Sequence, residues 1–221
     1  MYIDHIGVML NDLDLIDNVP YVIMRAAGRL AMPLYVFLLI QGFYHTRSFW
    51  KYFTRIAILA LLTEIPYNLF HKNAIFDPAK QNILIAYALG LLMIYVIHIL
   101  WKKDLPGKIA GAAVAIAVAV AAYFLKLDYG WRVPAIIYTT YLGQTLAMLP
   151  ITIVCGTVIT VLGRPWYLWT TPFAYIPVGL YNGERGKCPK WLNIVFYGAY
   201  PMSYLLLYIV EIIVKEAGAA W

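Results

Sequence analysis

The run "NILIAYALGLLMIYVIHILWKK" (residues 82–103) decides the fold. From Asn82 to Trp101 it holds no Asp, Glu, Lys or Arg, and it ends on two lysines. A helix crossing the roughly 30 Å hydrocarbon layer needs about 20 such residues, and Lys or Arg just past the end of a span marks a cytoplasmic loop. The rest of the chain is of the same kind. Of its 221 residues, 63% are hydrophobic and 13% charged, where a soluble domain carries about 25% charge; the mean hydropathy is +0.72. We therefore expect an all-α, polytopic integral membrane helix bundle, one domain over residues 1–221, with the lipid bilayer as its partner. The net charge of +6 does not point to nucleic acid. The basic residues sit in short loops between apolar runs, where membrane topology accounts for them.

Working outward, the apolar segments lie roughly at 1–11, 28–45, 54–70, 82–101, 109–125, 131–148, 150–163, 166–180 and 192–214, read from hydrophobic run length. The seventh and eighth are short, and merging them leaves eight, so the expectation is eight to nine transmembrane helices. The connectors, such as "HTRSFWK", "HKNAIFDPAKQ", "LKLDYGW" and "NGERGKCPK", hold the turn and charge signals. The small-residue run "IAGAAVAIAVAVAAYF" (109–124) suits close helix packing. If spans alternate in direction, Arg47, Lys51 and Arg55 share a face with Lys102, Lys103 and Lys108 and with Arg185, Lys187 and Lys190. That face is expected to be cytoplasmic, with Asp12, Asp14, Asp17, Asp77 and Asp128 on the other. The first segment is too short: eleven helical residues reach about 16 Å, half the hydrocarbon thickness. A helix truncated in this way is expected either to be completed by apolar residues upstream of Met1 or to be sheltered by protein. The start lacks the basic n-region of a cleavable signal peptide.

An ionisable residue inside a span is a functional candidate. Here these are Asp4, His5, Arg29, Glu64 and His98, with Gln41, His45 and Asn82 near span ends. For His5, acid–base chemistry and a hydrogen bond between helices stand equally open. Asp4 and His5 are neighbours, so on a helix they point about 100° apart and need not pair. Asp4 is expected to meet an arginine of another helix, and Arg29, one turn from Arg25 on the same face, is available. Glu64 either satisfies backbone groups freed by Pro66 or pairs with a cation. His98 reads as an interfacial anchor. Arg47, Lys51 and Arg55 are spaced by four and form one basic stripe if the third helix begins early. Such a stripe suits phosphates; ordinary positive-inside charge is the other reading. The four histidines, Cys155 and Cys188 show neither metal-ligand nor disulfide spacing, so no metal is expected.

With these residues in place, the sequence resembles the TraX family of integral membrane proteins nearly end to end. The resemblance is carried by "IDHIG" near the start, "GRLAMPLYVFLLIQGFYHTRS" with Arg29, Pro33, Phe37, Gly42 and His45 to Arg47, then "TEIPYNL", "QNILIAYALGLL", "LDYGW", "YNGERG" and "FYGAYPMSYLLL", in family order. Two departures stand out. Members usually carry a longer apolar run before the Asp-His signature. Their last span often reads Tyr-Pro-x-His, where this chain has Tyr200, Pro201, Met202 and Ser203.

The resemblance implies acyl transfer. The family's named member acetylates the N-terminal residue of a conjugative pilin with acetyl-CoA. The family is also distantly similar to polytopic membrane acyltransferases, which use an embedded His and a cytoplasmic basic cluster for CoA. By that likeness the chain is a membrane-embedded acyltransferase of a bacterial inner (cytoplasmic) membrane, moving an acetyl group from acetyl-CoA, its cosubstrate, to an amine or hydroxyl acceptor. His5 is then the general base. Asp4 or Arg29 orients it or stabilises charge. Arg47, Lys51, Arg55 and His45 face the CoA phosphates, and Gln41 and Asn82 are candidate oxyanion donors. Two other classes remain open at this point: a proton-coupled transporter using Asp4, His5 and Glu64 as a relay, and a membrane assembly protein without chemistry.

Overall fold

The computed structural model describes residues 1–162, 166–184 and 189–218; Arg185, Lys187 and Cys188 of the third basic connector lie outside the described residues. The chain is all-helical. In order come α1 (Tyr2–Asp12), α2 (Asn18–Arg29), α3 (Ala31–His45), α4 (Phe49–Lys72), α5 (Ile83–Leu100), α6 (Leu105–Phe124), α7 (Arg132–Thr145), α8 (Leu149–Val161), a 3-10 helix (Trp166–Ala174), α9 (Tyr175–Gly179) and α10 (Lys190–Gly218). Among the described residues no strand forms; Gln81 and Leu127 make one isolated parallel bridge.

Among the described residues, five stretches are long and apolar enough to cross a membrane: Asn18–His45, Phe49–Lys72, Ile83–Leu100, Leu105–Phe124 and Val195–Ala217. Their outward faces are apolar too. On α4, Ile58, Leu61, Leu62 and Ile65 are exposed while Ile56, Ala60, Thr63, Tyr67 and Phe70 turn inward. A helix apolar on every side belongs in a membrane or a deep core, and outward-facing leucines on a chain of this size suit lipid. The centre of the bundle is α5, whose Leu91, Ile94 and Ile97 pack with Val36 and Ile40 of α3 and Val133, Ile136 and Ile137 of α7. The cap of α5 is Asn82, whose Oδ1 accepts the Leu84 amide at 2.9 Å.

Several expected boundaries move, each for a local reason. Residues 18–27, outside any expected apolar segment, form α2, which runs on into α3 as one 28-residue stretch. Pro33 has no N–H for the Arg29 carbonyl, so the helix breaks at Leu30 and restarts. The third expected segment starts at Phe49 rather than 54, but Arg47 stays in the bend before Ser48, the N-cap. Only Lys51 and Arg55 share the helix, so the three residues do not form one helical stripe. The segment expected over 166–180 is not one α-helix: Pro172 sits inside a 3-10 turn, and α9 adds only five residues around Pro177. α7 and α8, at 14 and 13 residues, reach only about 20 Å each, short of a full crossing. The described residues thus hold five candidate spans, against an expectation of eight to nine.

The small residues of α6 do pack closely. Gly107, Gly111, Ala115 and Ala122 are its buried residues, and a Cβ on Gly111 would lie 2.9 Å from Trp101 Nε1 at the end of α5. Helix direction places the basic loops together. Phe49 at the start of α4 stacks on Tyr95 near the end of α5 at 3.9 Å, and Phe43 near the end of α3 meets His98 at 5.6 Å. The loops at 46–48 and 101–104 therefore share one end of the bundle, here the basic end. The loops at 73–82 and 125–131 share the opposite end, where Lys80 Nζ lies 3.0 Å from Asp128.

α1 enters at the level of Ala199, whose carbonyl accepts the Tyr2 hydroxyl at 2.6 Å. It leaves where Met9 packs with Phe70 and Leu207. Two glycines let it lie against α2. A Cβ on Gly28 would collide with the Asp4 side chain, and one on Gly7 would lie 2.9 Å from Met24 Cβ. Gly28→Ala is expected to cost about 1–3 kcal/mol through overpacking. Gly198→Ala, whose Cβ would meet nothing within 4 Å, is expected to cost nothing. Thermal unfolding of both variants in detergent checks this; equal melting temperatures would mean that α1 does not lie this close to α2.

Candidate functional site

α1 and α2 meet through charge. Asp4 is buried on α1, and its Oδ1 accepts Arg25 Nη1 at 2.8 Å. Arg29 Nη2 donates to both Asp4 oxygens at 2.8 Å. Arg25 and Arg29 sit one turn apart on α2, so one carboxylate serves both. The expected meeting of Asp4 with Arg29 is thus found, with Arg25 as a second partner. Arg29 Nη1 reaches further, to the Tyr129 hydroxyl, and its guanidinium lies 5.5 Å from that ring's centre.

Tyr129 arrives by an unusual route. It lies in the "LDYGW" block between α6 and α7. There the Asp128 amide donates to the Gln81 carbonyl at 3.0 Å and the Gln81 amide to the Lys126 carbonyl at 3.2 Å. The loop turns through left-handed backbone at Lys126 (φ 54), Tyr129 (φ 61) and Gly130 (φ 56). For a bulky aromatic that conformation is costly and persists only where the surroundings enforce it; here the Arg29 contact does so. Burial pushes the Tyr129 phenol up to about 12, with Arg29 pulling the other way. It is neutral near pH 7 and adds no second negative charge to the cluster.

His5 points away from Asp4. Its ring stacks on Tyr204 of α10, centroids 4.4 Å apart, and Nε2 lies 3.2 Å from the Tyr204 hydroxyl. That hydroxyl is in turn 3.1 Å from the Tyr200 hydroxyl, one turn back. His5 Nδ1 is buried with no partner among the described residues. Pro201 lies inside α10 beside this pair, and Ser203 donates to the Tyr200 carbonyl at 2.6 Å. Neither Asp4 nor Arg29 bonds the His5 ring; Tyr204 holds it.

Both clusters open into one cavity of about 1130 Å³. Its walls run from Gly42, Tyr52 and Ile56 toward the basic end, past Asp4, His5, Arg25 and Arg29, to Lys80, Asp128 and Tyr129 at the opposite end. His71 of α4 lines it as well. Its Nδ1 lies 3.0 Å from the Tyr67 carbonyl, which can only accept, so the proton sits on Nδ1 and Nε2 carries the lone pair. Gln41, Glu64 and Asn82 do not line the cavity. Gln41 Nε2 donates to Gln144 Oε1 at 2.9 Å, joining α3 to α7. Glu64 accepts from the Asn82 backbone at 3.2 Å and from the Asn82 side chain, which also donates to Ala60 O at 2.9 Å. Glu64 thus meets an asparagine rather than a cation and ties α4 to the start of α5. Arg47, Lys51, Arg55 and His45 are exposed at the basic end; His45 Nδ1 meets its own helix at Gln41 O, 2.9 Å away. They lie outside the cavity wall, although Tyr52 and Ile56, the residues next to Lys51 and Arg55, are part of it. Among the described residues no group of His, Cys, Asp and Glu is arranged to hold a metal ion.

Sequence reasoning did not single out Tyr129, Tyr204 or His71. The "LDYGW" block carried a signal for the first, and the Tyr200–Tyr204 spacing of one turn carried one for the second. His71 gave none, since its role depends on which face of α4 meets the cavity.

No curated protein and no solved structure matches the chain. The model of the family described as TraX protein matches residues 1–211. The Asp-His signature, the arginine that answers it and the "LDYGW" loop all fall within that match, and the chain belongs to the TraX family.

Proposed function

We propose that this chain is a membrane-embedded acyltransferase that moves an acetyl group from acetyl-CoA to an amine or hydroxyl acceptor. One observation carries the reading. A single cavity inside a lipid-suited bundle holds a histidine backed by two tyrosines and, beside it, two arginines sharing one aspartate. His5 takes the proton of the acceptor N–H or O–H as that atom attacks the thioester carbon. The new C–N or C–O bond forms, the C–S bond breaks, and His5 returns the proton to the leaving sulfur, giving free CoA thiol. The positive field of Arg29 stabilises the oxyanion of the tetrahedral intermediate. The bundle walls exclude the water that would otherwise compete for the acetyl group.

In this reading acetyl-CoA approaches from the basic end. Lys51 and Arg55, with Arg47 and His45 before them, hold its phosphates, and the pantetheine arm runs along Tyr52 and Ile56 to His5. The basic end is cytoplasmic, in a bacterial inner membrane. The short helices α1, α7, α8 and the 166–179 segment complete eight to nine membrane-embedded helices. Cysteines placed at Ser48 and Lys103 are expected to resist an impermeant thiol reagent in intact cells, and one at Asp77 to react. The reverse pattern would turn the molecule over and defeat this route.

Calorimetric titration with acetyl-CoA tests the donor assignment. Micromolar binding is expected, weakened by about 1.5–3 kcal/mol for each charge-assisted phosphate contact removed in Lys51→Ala or Arg55→Ala, and weakened further by salt. Absence of binding by the folded wild-type protein would overturn the acyltransferase reading.

A further inference from the structure

The cavity holds an unbalanced charge. Arg25 and Arg29 share Asp4 at 2.8 Å. The other carboxylate on the cavity wall among the described residues, Asp128, is taken by Lys80 at 3.0 Å. Tyr129 is neutral. Lys126 and Arg132 line the cavity as well, so two guanidiniums sharing one carboxylate leave positive charge in excess inside the bundle, where charge is poorly screened and an uncompensated ion is costly. The two arginines are not equivalent. Arg29 is the inner one, with 9% of its side chain exposed and its Nη atoms given to Asp4 and Tyr129. Arg25 is the outer one, with 23% exposed into the cavity. Nη1 makes its one bond to Asp4, its guanidinium lies 5.9 Å from the Tyr21 ring centre, and its buried Nε has no partner among the described residues. A guanidinium with open donors and an uncancelled charge fits a two-oxygen anion in fork geometry.

We propose that Arg25, backed by Arg29, is a subsite for a phosphate or carboxylate group of the acceptor, so that the acceptor is an anionic molecule. This rests on the acyltransferase reading for the word acceptor, though not for the anion site itself. Position assigns the group to the acceptor rather than to CoA. Arg25 lies one turn closer than Arg29 to the start of α2, and so farther from the basic end at which α3 finishes. The proposed CoA phosphate contacts at Lys51 and Arg55 lie at the other end of the bundle.

The test uses the purified full chain in detergent, with inorganic phosphate and acetate as probes against chloride at equal ionic strength. A saturable rise in melting temperature with phosphate or acetate is expected for the wild type. Arg25→Gln is expected to weaken that binding roughly ten- to a hundredfold, and Arg25→Lys to keep part of it. Acetyl-CoA and S-acetylpantetheine are titrated into the same proteins. Unchanged affinity of Arg25→Gln for both supports the assignment. If Arg25→Gln loses acetyl-CoA but not S-acetylpantetheine, which lacks the phosphates, Arg25 serves the donor and the proposal falls. It falls also if the wild type gains nothing from either anion, a result that needs no variant to fold. Anion binding without acetyl-CoA binding would leave the subsite standing and remove the acyltransferase reading alone.

Discussion

His5→Ala is expected to lower acetyl transfer by about 10² to 10⁴ while the bundle stays folded, because a positioned general base contributes that much. The structural alternative predicts the opposite pattern. If the His5–Tyr204 contact serves only to join α1 to α10, its loss costs an average of about 0.6 kcal/mol for a hydrogen bond between membrane helices, plus the packing lost where the ring stacked. The remaining folded fraction would then still turn over. His5→Gln, nearer in size and still able to bond Tyr204, separates the two: it preserves the joint and lacks the base. Labelled acetyl transfer in membranes, beside thermal unfolding in detergent, reads both quantities. Near-normal transfer by a folded His5→Ala protein would end its case as the base. The chemistry would then fall to His71, which lines the same cavity with its lone pair on Nε2, rather than to His45, which lies exposed at the basic end.

Asp4→Ala is expected to destabilise the protein by about 3–5 kcal/mol, since it removes the carboxylate shared by two largely buried guanidiniums and leaves both uncompensated. That is a large part of the about 5–15 kcal/mol that holds a typical domain together. The pair of Lys215 and Glu211, 2.5 Å apart on α10, makes the contrast: Lys215→Ala is expected to leave the melting temperature unchanged, since a solvent-facing ion pair adds little. The loss at Asp4 belongs to the unpaired arginines rather than to the missing methylene. Arg29→Met combined with Asp4→Leu is therefore expected to recover part of it, because an apolar replacement of a buried pair is often neutral while Arg25 still lacks its carboxylate. Thermal unfolding of the two single variants, the double variant and the wild type gives the coupling. If Asp4→Ala melts with the wild type, water already reaches the arginines and the cluster is not a buried ion network.

The two expectations rest on different kinds of information. The composition, the run at 82–103 and the small-residue run at 109–124 were enough to determine a helical membrane protein, because burying unsatisfied backbone in lipid permits little else and hydrophobic length is a local property. The order of short motifs was enough for the family. The sequence also placed Asp4 against Arg29, since a lone carboxylate in an apolar helix requires a cation and few were at hand. It did not reveal α2 as part of a span. Residues 18–27 lie outside the apolar runs, and only tertiary structure supplies the aspartate that cancels one of the charges of Arg25 and Arg29. Tyr204 lies 199 positions from His5, and no periodicity links them. The partners of Glu64 and Asn82, the exclusion of Arg47 from the helix after it, and the arrival of Tyr129 through left-handed backbone were likewise decided by packing. Helix length is written along the chain. Which polar groups meet inside the bundle depends on how the helices turn against each other, and that is set by close contacts such as Gly28 against Asp4, which exist only once the chain has folded.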